Sequence, residues 1–200
     1  MTLIELMVGM AIVGIILAVV VGGMRSLLDS EMKEASAKMA STIRFLYNKA
    51  ATERLYLRIV FDLEEESYHV EASAEPFLVT RMTEEDMAER RKRVEAAEQG
   101  EAPEEDAAPP NPFSPQESYL LERVRLPDGI FFKDIQTSYQ AEKVEGGEAY
   151  IYFFPNGFAT PAVINLTDED DEVHYSLEVL PLSGRVRIES NYGELYVETS

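Results

Sequence analysis

The sequence contains 200 residues with a mass of 22.5 kDa, and 46% of them are hydrophobic, which fits one modest folded domain with an appendage rather than a disordered chain. Lys and Arg number 18 against 37 Asp and Glu, and the net charge of −19 disfavours binding to nucleic-acid phosphates. The sequence has no Cys, which excludes disulfides, thiolate metal sites and cysteine nucleophiles, and its two histidines disfavour a multi-histidine zinc centre.

An apolar segment without any charged side chain runs over residues 6–24, with the sequence LMVGMAIVGIILAVVVGGM. As a helix it would be roughly 28 Å long, close to the hydrocarbon thickness of a bilayer. A buried core helix is seldom apolar on all faces over this length, and a cleavable secretory signal begins with a basic residue and has a shorter apolar stretch. The pattern therefore favours a membrane-spanning helix, which we assign to residues 1–24.

Glu5 is an acidic residue within this apolar start. An ionised carboxylate in the bilayer interior costs about 2.5–3.5 kcal/mol, and a simple anchor does not require one. Glu5 could reach back to the headgroup layer, since it lies near the end of the helix. We favour the alternative, in which a cation inside an assembly pairs with Glu5 and offsets its desolvation. The nearest candidate is the α-amino group at Met1 of a neighbouring subunit.

The polarity of the sequence changes after Gly22 and Gly23. Apolar side chains then recur at steps of three and four, while basic side chains occupy the other faces, as expected for an amphipathic helix over residues 25–54. The apolar stripe consists of Leu28, Met32, Ala35, Met39, Ile43, Leu46 and Ala50. We predict one continuous helix from about residue 2 to residue 53, with its first half in lipid and its second half packed on a soluble domain.

Gly14, Gly22 and Gly23 lie within the apolar part of this predicted helix. Each weakens a helix by up to about 1 kcal/mol relative to Ala. Glycine is common in membrane helices, so the three residues have no necessary function. They are also candidate hinge residues that would let helices pack in a filament, and both interpretations stay open.

The remaining residues, 55–200, alternate between strand-like and turn-like segments. Strands are expected at residues 55–62, 68–71, 120–126, 130–132, 149–154, 173–180 and 185–189, separated by Pro-, Asn- and Gly-containing turns. One long helix followed by antiparallel strands indicates an α+β domain, and the apolar stripe of the helix is expected to cover one face of the sheet.

An acidic insertion occupies residues 83–117, with eleven acidic and four basic side chains. Its first part contains strong helix formers, and its second part is rich in Pro, Glu and Ala and is expected to be mobile. It is either a tolerated loop expansion or an arm that docks a partner.

The sequence shows no motif for catalysis or cofactor binding, such as a Gly-rich phosphate loop or a His-Glu-x-x-His pair. His69 and His174 lie in strand-like segments and are expected to be exposed cross-strand partners. The acidic run at residues 168–172 could ligate a hard cation, but consecutive carboxylates converge poorly, so an acidic hairpin loop is favoured. We expect no enzyme activity, no cofactor and no metal site.

The first residues, Met1-Thr2-Leu3-Ile4-Glu5-Leu6-Met7, and the apolar helix that follows resemble the mature N-terminus of type IV pilins and type II secretion pseudopilins. The resemblance implies leader cleavage immediately before Met1, methylation of the Met1 amine, and a role for Glu5 in docking into a filament. It also implies a long N-terminal helix packed on an antiparallel sheet, the pilin-like α+β fold. Met1 departs from the family pattern, in which the first residue is usually Phe.

The rest of the chain resembles the H-type minor pseudopilins and the related minor pilins, most clearly at residues 47–50, 58–61, 154–157 and 184–186. This likeness implies a structural subunit that crosses the bacterial inner membrane once, with its C-terminal domain in the periplasm, before it joins a pseudopilus. The implied partners are other pilins or pseudopilins in a helical filament, the prepilin peptidase/methyltransferase, the inner-membrane assembly platform and the membrane itself, with no nucleic acid. The alternatives are a minor pilin at the tip of a type IV pilus and a membrane-anchored binding module.

Overall fold

A computed structural model describes residues 3–73, 113–115, 123–140 and 142–196, with the backbone alone over residues 16–27 and 114–115.

A single long helix, α1 (Leu3–Glu53), begins the described chain, in agreement with the predicted bounds. It ends where Arg54 adopts a left-handed conformation with a φ of 57°. The backbone N–H of Leu55 donates to the carbonyl of Ala50 at 3.3 Å, which satisfies one of the carbonyls left open at a helix C-terminus.

The predicted apolar stripe is the face that α1 buries. Met32, Met39, Ile43, Leu46 and Ala50 have no exposed surface, while Leu28 and Ala35 are partly buried. Complete burial of a Met, Ile or Leu side chain stabilises a fold by about 1.5–3 kcal/mol, so this stripe is a major contribution to the core.

Ten antiparallel strands form two sheets in the described part of the chain. Their bounds are β1 (Tyr56–Asp62), β2 (Ser67–Ser73), β3 (Ser114–Pro115), β4 (Val124–Arg125), β5 (Ile130–Thr137), β6 (Glu148–Phe154), β7 (Phe158–Ala159), β8 (Ala162–Asp168), β9 (His174–Val179) and β10 (Val186–Glu189). The first sheet has the order β3-β2-β1-β6-β7, with β4 also paired to β2, and the second has the order β10-β9-β8-β5.

The expectation that α1 covers one face of a single sheet is wrong. The helix contacts β1 and β6 of the first sheet and β9 and β10 of the second. One core contains the helix stripe together with Ile59 and Phe61 of the first sheet and Ile164 and Leu177 of the second. Strand pairing between distant residues decides this division into two sheets, and local sequence patterns do not report it.

Most of the predicted strands are present, with some changes in length. β1, β2, β6, β9 and β10 confirm five predictions, whereas β5 is longer than the predicted 130–132. The described part of the predicted strand at residues 120–126 contains only the two-residue β4. The sequence interpretation missed the two-residue strands β3 and β7 and the seven-residue β8, although apolar and polar side chains alternate over residues 164–167 of β8.

Tyr47 connects the last part of α1 to two turns of the sheets. Its hydroxyl lies 2.8 Å from the carbonyl oxygens of Gly157, in the β6–β7 turn, and Leu182, in the β9–β10 turn, and shares its proton between them. Gly184 has a φ of 60°, and a Cβ there would lie 2.2 Å from Cγ of Tyr47. Three of the sequence segments that resemble minor pseudopilins therefore meet at one tyrosine.

We predict that Tyr47→Phe lowers the free energy of unfolding by about 0.5–1.5 kcal/mol, because the carbonyls of the partly buried Gly157 and the exposed Leu182 lose a donor. Gly184→Ala should cost about 2–4 kcal/mol, since it combines an unfavourable φ with a clash against the Tyr47 ring. Urea unfolding of the detergent-solubilised chain, followed by near-UV circular dichroism of tyrosine, measures both effects.

The matched control is Gly146→Ala, because a Cβ at Gly146 meets no described atom within 4 Å. This variant should stay within about 0.5 kcal/mol of the wild type. Equal losses for Gly184→Ala and Gly146→Ala would contradict the close packing of Gly184 on Tyr47.

Candidate functional site

The first part of α1, residues 3–15, exposes apolar side chains on all of its faces. Every residue from 3 to 15 is exposed, including Leu3 at 80% and Met10 at 72%. A Cβ added at Gly9 or Gly14 would meet no described atom within 4 Å. We call residues 3–15 the apolar N-terminal surface; within the described chain, the folded domain does not cover it.

Glu5 lies on this surface and is exposed among apolar neighbours. Leu3, Ile4, Leu6 and Met7 are all more than half exposed, so the carboxylate is placed in a strip that an assembly or a lipid phase would surround with apolar atoms. Its pairing with a neighbouring subunit stays a prediction.

The other N-terminal predictions are only partly within reach of the structure. Met1, the predicted site of methylation and leader cleavage, lies outside the described residues. Gly14, Gly22 and Gly23 lie within an uninterrupted stretch of helical backbone, and their proposed role as hinges in a filament stays a prediction.

In the part of the chain that the structure describes, no helix is both long enough and apolar enough to cross a membrane.

Among the described side chains of α1, Leu28 and Asp29 are the first that contact the folded domain. A Cβ at Gly129, before β5, would lie 3.3 Å from Cδ2 of Leu28. The hydroxyl of Tyr175 in β9 donates to the carboxylate of Asp29 at 3.0 Å. This contact fixes the helix relative to the second sheet at the point where the apolar stripe begins.

The expectation that both histidines are exposed is wrong, although their placement in strands is confirmed. His69 in β2 and His174 in β9 are partly buried. Nε2 of His69 lies 3.6 Å from the Glu71 carboxylate, and Nδ1 of His174 lies 3.8 Å from the Asp171 carboxylate. Sequence alternation places a side chain on the outer face of a sheet, but it does not reveal whether another segment covers that face.

Phe113 covers part of the outer face of the first sheet. It is 6% exposed, and its ring lies 4.3 Å from the guanidinium carbon of Arg58, while the ring of Tyr150 lies 4.7 Å from the same carbon. The Arg58 guanidinium is thus held between two aromatic rings, an arrangement that contributes about 0.5–2 kcal/mol. Its Nε also donates to the Glu71 carboxylate at 2.6 Å.

The end of the insertion is tied to the first sheet at the same place. Only residues 113–115 of the predicted insertion at 83–117 lie within the described chain, and Ser114 and Pro115 pair with Ala72 and Glu71 of β2. This pairing closes the base of the insertion against the edge of the sheet. The helix formers predicted in the first part of the insertion and residues 100–112 of its second part, which is predicted to be mobile, lie outside the described chain.

The acidic run at residues 168–172 forms the β8–β9 hairpin turn, as the favoured interpretation predicts. Asp168 is buried, and its Oδ1 accepts hydrogen bonds from the backbone N–H groups of Glu172 at 2.8 Å and Val173 at 2.9 Å. Lys133 donates to the Asp171 carboxylate at 2.6 Å. No cluster of three or more potential metal ligands occurs among the described residues. Asp168 and Asp171 therefore have structural partners within the turn.

The pKa of Glu71 is set by its burial and by its neighbours Arg58 and His69. Burial alone would raise the pKa of Glu71, but the nearby imidazole of His69 and the hydrogen-bonded, positively charged Arg58 outweigh burial and hold the pKa below its ordinary value of 4.5. A carboxyl group with a lowered pKa stabilises the folded state above its ordinary pKa, and this contribution is lost as the pH falls through the lowered value.

We predict that Glu71→Gln flattens the acid branch of the stability profile below pH 4.5, because the protonation of Glu71 no longer contributes to it. Urea unfolding at a series of pH values measures the slope. Glu64→Gln is the control, since Glu64 is an exposed glutamate in the β1–β2 turn, and its slope should match that of the wild type. Parallel curves for Glu71→Gln and the wild type would show that Glu71 is not held in its charged form.

Comparisons with known proteins agree with this architecture. The fold is similar to a crystal structure of the minor pseudopilin EpsH from the type II secretion system of Vibrio cholerae, with a TM-score of 0.50 and 8% sequence identity over 82% of this chain and 97% of that chain. A second EpsH structure matches with a TM-score of 0.48 and 8% identity over 80% of this chain and 97% of that chain. Comparison of the sequence with protein-family models and with curated proteins gives no match. The α+β pilin-like fold predicted from the sequence is confirmed.

Proposed function

We propose that this chain is a structural subunit of a helical filament, a minor pseudopilin of a type II secretion system. The observation that carries the proposal is the division of α1 into two parts: the folded domain buries the apolar stripe from residue 28 onwards, whereas the surface of residues 3–15 is apolar and exposed on all faces. A helix of this kind requires surroundings that its own domain does not supply. The fold that it shares with EpsH supports the same assignment.

The surroundings would change during assembly. Before assembly, residues 1–24 would lie in the bacterial inner membrane as a single pass, with the folded domain in the periplasm. In the filament, the same surface would pack against the helices of other pilins or pseudopilins. Lipid and neighbouring helices are both apolar, so exchange between them has little hydrophobic cost, and specific contacts decide the outcome.

Glu5 would supply such a specific contact. In lipid its charge is unfavourable, and beside the α-amino group of a neighbouring Met1 it would form a charge-assisted pair in surroundings of low dielectric constant. Pairing therefore favours the assembled state over the isolated subunit. This role requires a free or methylated amine at Met1, which the prepilin peptidase/methyltransferase would generate by leader cleavage, and the inner-membrane assembly platform would then accept the mature subunit.

We predict that Glu5→Ala abolishes incorporation into the filament while membrane insertion and folding of the domain persist. Cross-linking of filaments in the native host measures incorporation, and membrane fractionation measures insertion. Glu64→Ala is the control, because it removes an exposed carboxylate from the folded domain and leaves α1 unchanged. Wild-type incorporation of the Glu5→Ala variant would rule out the docking role and favour a membrane-anchored binding module, in which the helix is only a tether.

The type IV pilus alternative requires the same dependence on Glu5, so a second readout is needed. Loss of protein export in the Glu5→Ala strain, with pili intact, supports the secretion assignment, and the reverse result supports a minor pilin.

Mass spectrometry of the mature protein provides an independent test at the N-terminus. We predict a chain that begins at Met1 and carries one methyl group on its α-amine. An unprocessed segment before Met1 in all mature copies would contradict the proposed maturation.

A further inference from the structure

The outer face of the second sheet is covered by residues 192–196, which we call the C-terminal segment. Five residues lie on the side of the sheet opposite the core: Asp134 and Gln136 of β5, Val163 and Asn165 of β8, and Ser176 of β9. Four of these five are at most 5% exposed, namely Asp134, Val163, Asn165 and Ser176. Polar residues on the outer face of a sheet are usually solvated, so their burial requires a cover.

Side-chain amides hold the backbone of this segment. Asn165 pairs with Gly193 in both directions: its Nδ2 donates to the Gly193 carbonyl at 3.0 Å, and its Oδ1 accepts from the Gly193 N–H at 2.9 Å. Gln136 repeats the pattern one step along the chain, with Nε2 at 3.2 Å from the Gly193 carbonyl and Oε1 accepting from the Leu195 N–H at 2.8 Å. The two amides recognise an extended main chain as a neighbouring strand would.

A buried carboxylate fixes the orientation of both amides. Oδ1 of Asp134 accepts hydrogen bonds from Nδ2 of Asn165 at 2.9 Å and from Nε2 of Gln136 at 3.0 Å. A carboxylate accepts and does not donate, so each amide must direct its nitrogen towards Asp134. The amide oxygens are then available to the N–H groups of the C-terminal segment, which makes the recognition surface preorganised.

Gly193 is required by the closeness of this approach. A Cβ at Gly193 would lie 2.8 Å from Cβ of Ser176 and 3.0 Å from Cγ1 of Val163. These atoms belong to buried side chains close to the backbone of the sheet, so moving them away from an added Cβ would disrupt the packing. Tyr192, the preceding residue, places its hydroxyl 3.2 Å from Nε2 of Gln136.

The C-terminal segment is bound as a ligand would be rather than as a strand of the sheet. Outward-facing side chains form hydrogen bonds with it, and exposed residues Ser190 and Asn191 connect it to β10. A cavity of about 370 Å³ lies between the segment and the outer face of β9 and β10. Tyr196, the last described residue, is 89% exposed. Hydrogen bonds to a few side chains and the close packing of Gly193, rather than packing along the whole segment, therefore hold it in place.

We propose that the outer face of the second sheet is a peptide-binding site for an extended segment that contains Tyr-Gly, which this chain fills with its own residues 192–195. The same segment of a second copy has the same chemistry and fits the same site. The C-terminal segment is thus an exchangeable strap, and Gln136 and Asn165 determine which segment the site binds.

The test uses the full chain with a specific protease site inserted between Ser190 and Asn191. After cleavage, a fluorescent peptide of residues 191–200 should replace the nicked segment, and fluorescence anisotropy measures its binding. The Gly193→Ala peptide should bind at least about tenfold more weakly, because the added Cβ meets Ser176 and Val163. The Glu194→Gln peptide is the matched control, since Glu194 is exposed, and it should bind within about twofold of the original peptide.

Asn165→Ala in the nicked chain should weaken the binding of the wild-type peptide by about tenfold or more, since the N–H and carbonyl groups of Gly193 lose their partner. The peptide variants keep the test independent of any effect of Asn165→Ala on folding. The proposal is overturned if the nicked chain unfolds, if labelled peptide does not bind at millimolar concentration, or if the Gly193→Ala peptide binds as well as the original.

Discussion

The burial of Met32, Met39, Ile43 and Leu46 in a core to which both sheets contribute is the interaction on which the rest of the structure depends. The helix contacts strands of each sheet, so its apolar stripe joins them into one unit. Tyr47 strengthens the connection by a different kind of force, because its hydroxyl ties a turn of each sheet to the same point on the helix. The domain is therefore organised around the part of α1 that follows the apolar N-terminal surface.

Different kinds of contact cover the outer faces of the two sheets, the faces opposite the shared core. On the first sheet, Phe113 and the aromatic residues around Arg58 form a small apolar cluster over the outer face. On the second sheet, the cover is polar, and Asn165 and Gln136 bind the backbone of the C-terminal segment. Each cover buries polar side chains of its sheet, Arg58 in the first and Asn165 in the second, and provides contacts for them.

Local features of the sequence predicted much of this fold. The stripe of α1 and the turns at Pro155 and Gly184 depend on residues close to one another in the chain, so periodicity and turn chemistry predict them. The division into two sheets and the partial burial of His69 depend on contacts between distant segments, and no local pattern reports these. The strand β8 was missed although apolar and polar side chains alternate over residues 164–167. The C-terminal segment gave no sequence signal either, because the need for Gly193 arises from Val163 and Ser176 across the sheet and not from an unusual φ.

The length of α1 links the candidate assembly residue to the folded domain. Asp29 is fixed to Tyr175 of the second sheet, and the backbone from there to Glu5 is helical throughout, roughly 36 Å at 1.5 Å per residue. In the proposed filament, a neighbour that pairs with Glu5 would thereby define the axial position of the domain. Unwinding at Gly22 or Gly23 would change that position, since an extended residue spans about 3.3 Å instead of 1.5 Å. In the proposed filament, the acidic residue and the glycines would therefore act on the same quantity, the axial offset between successive domains.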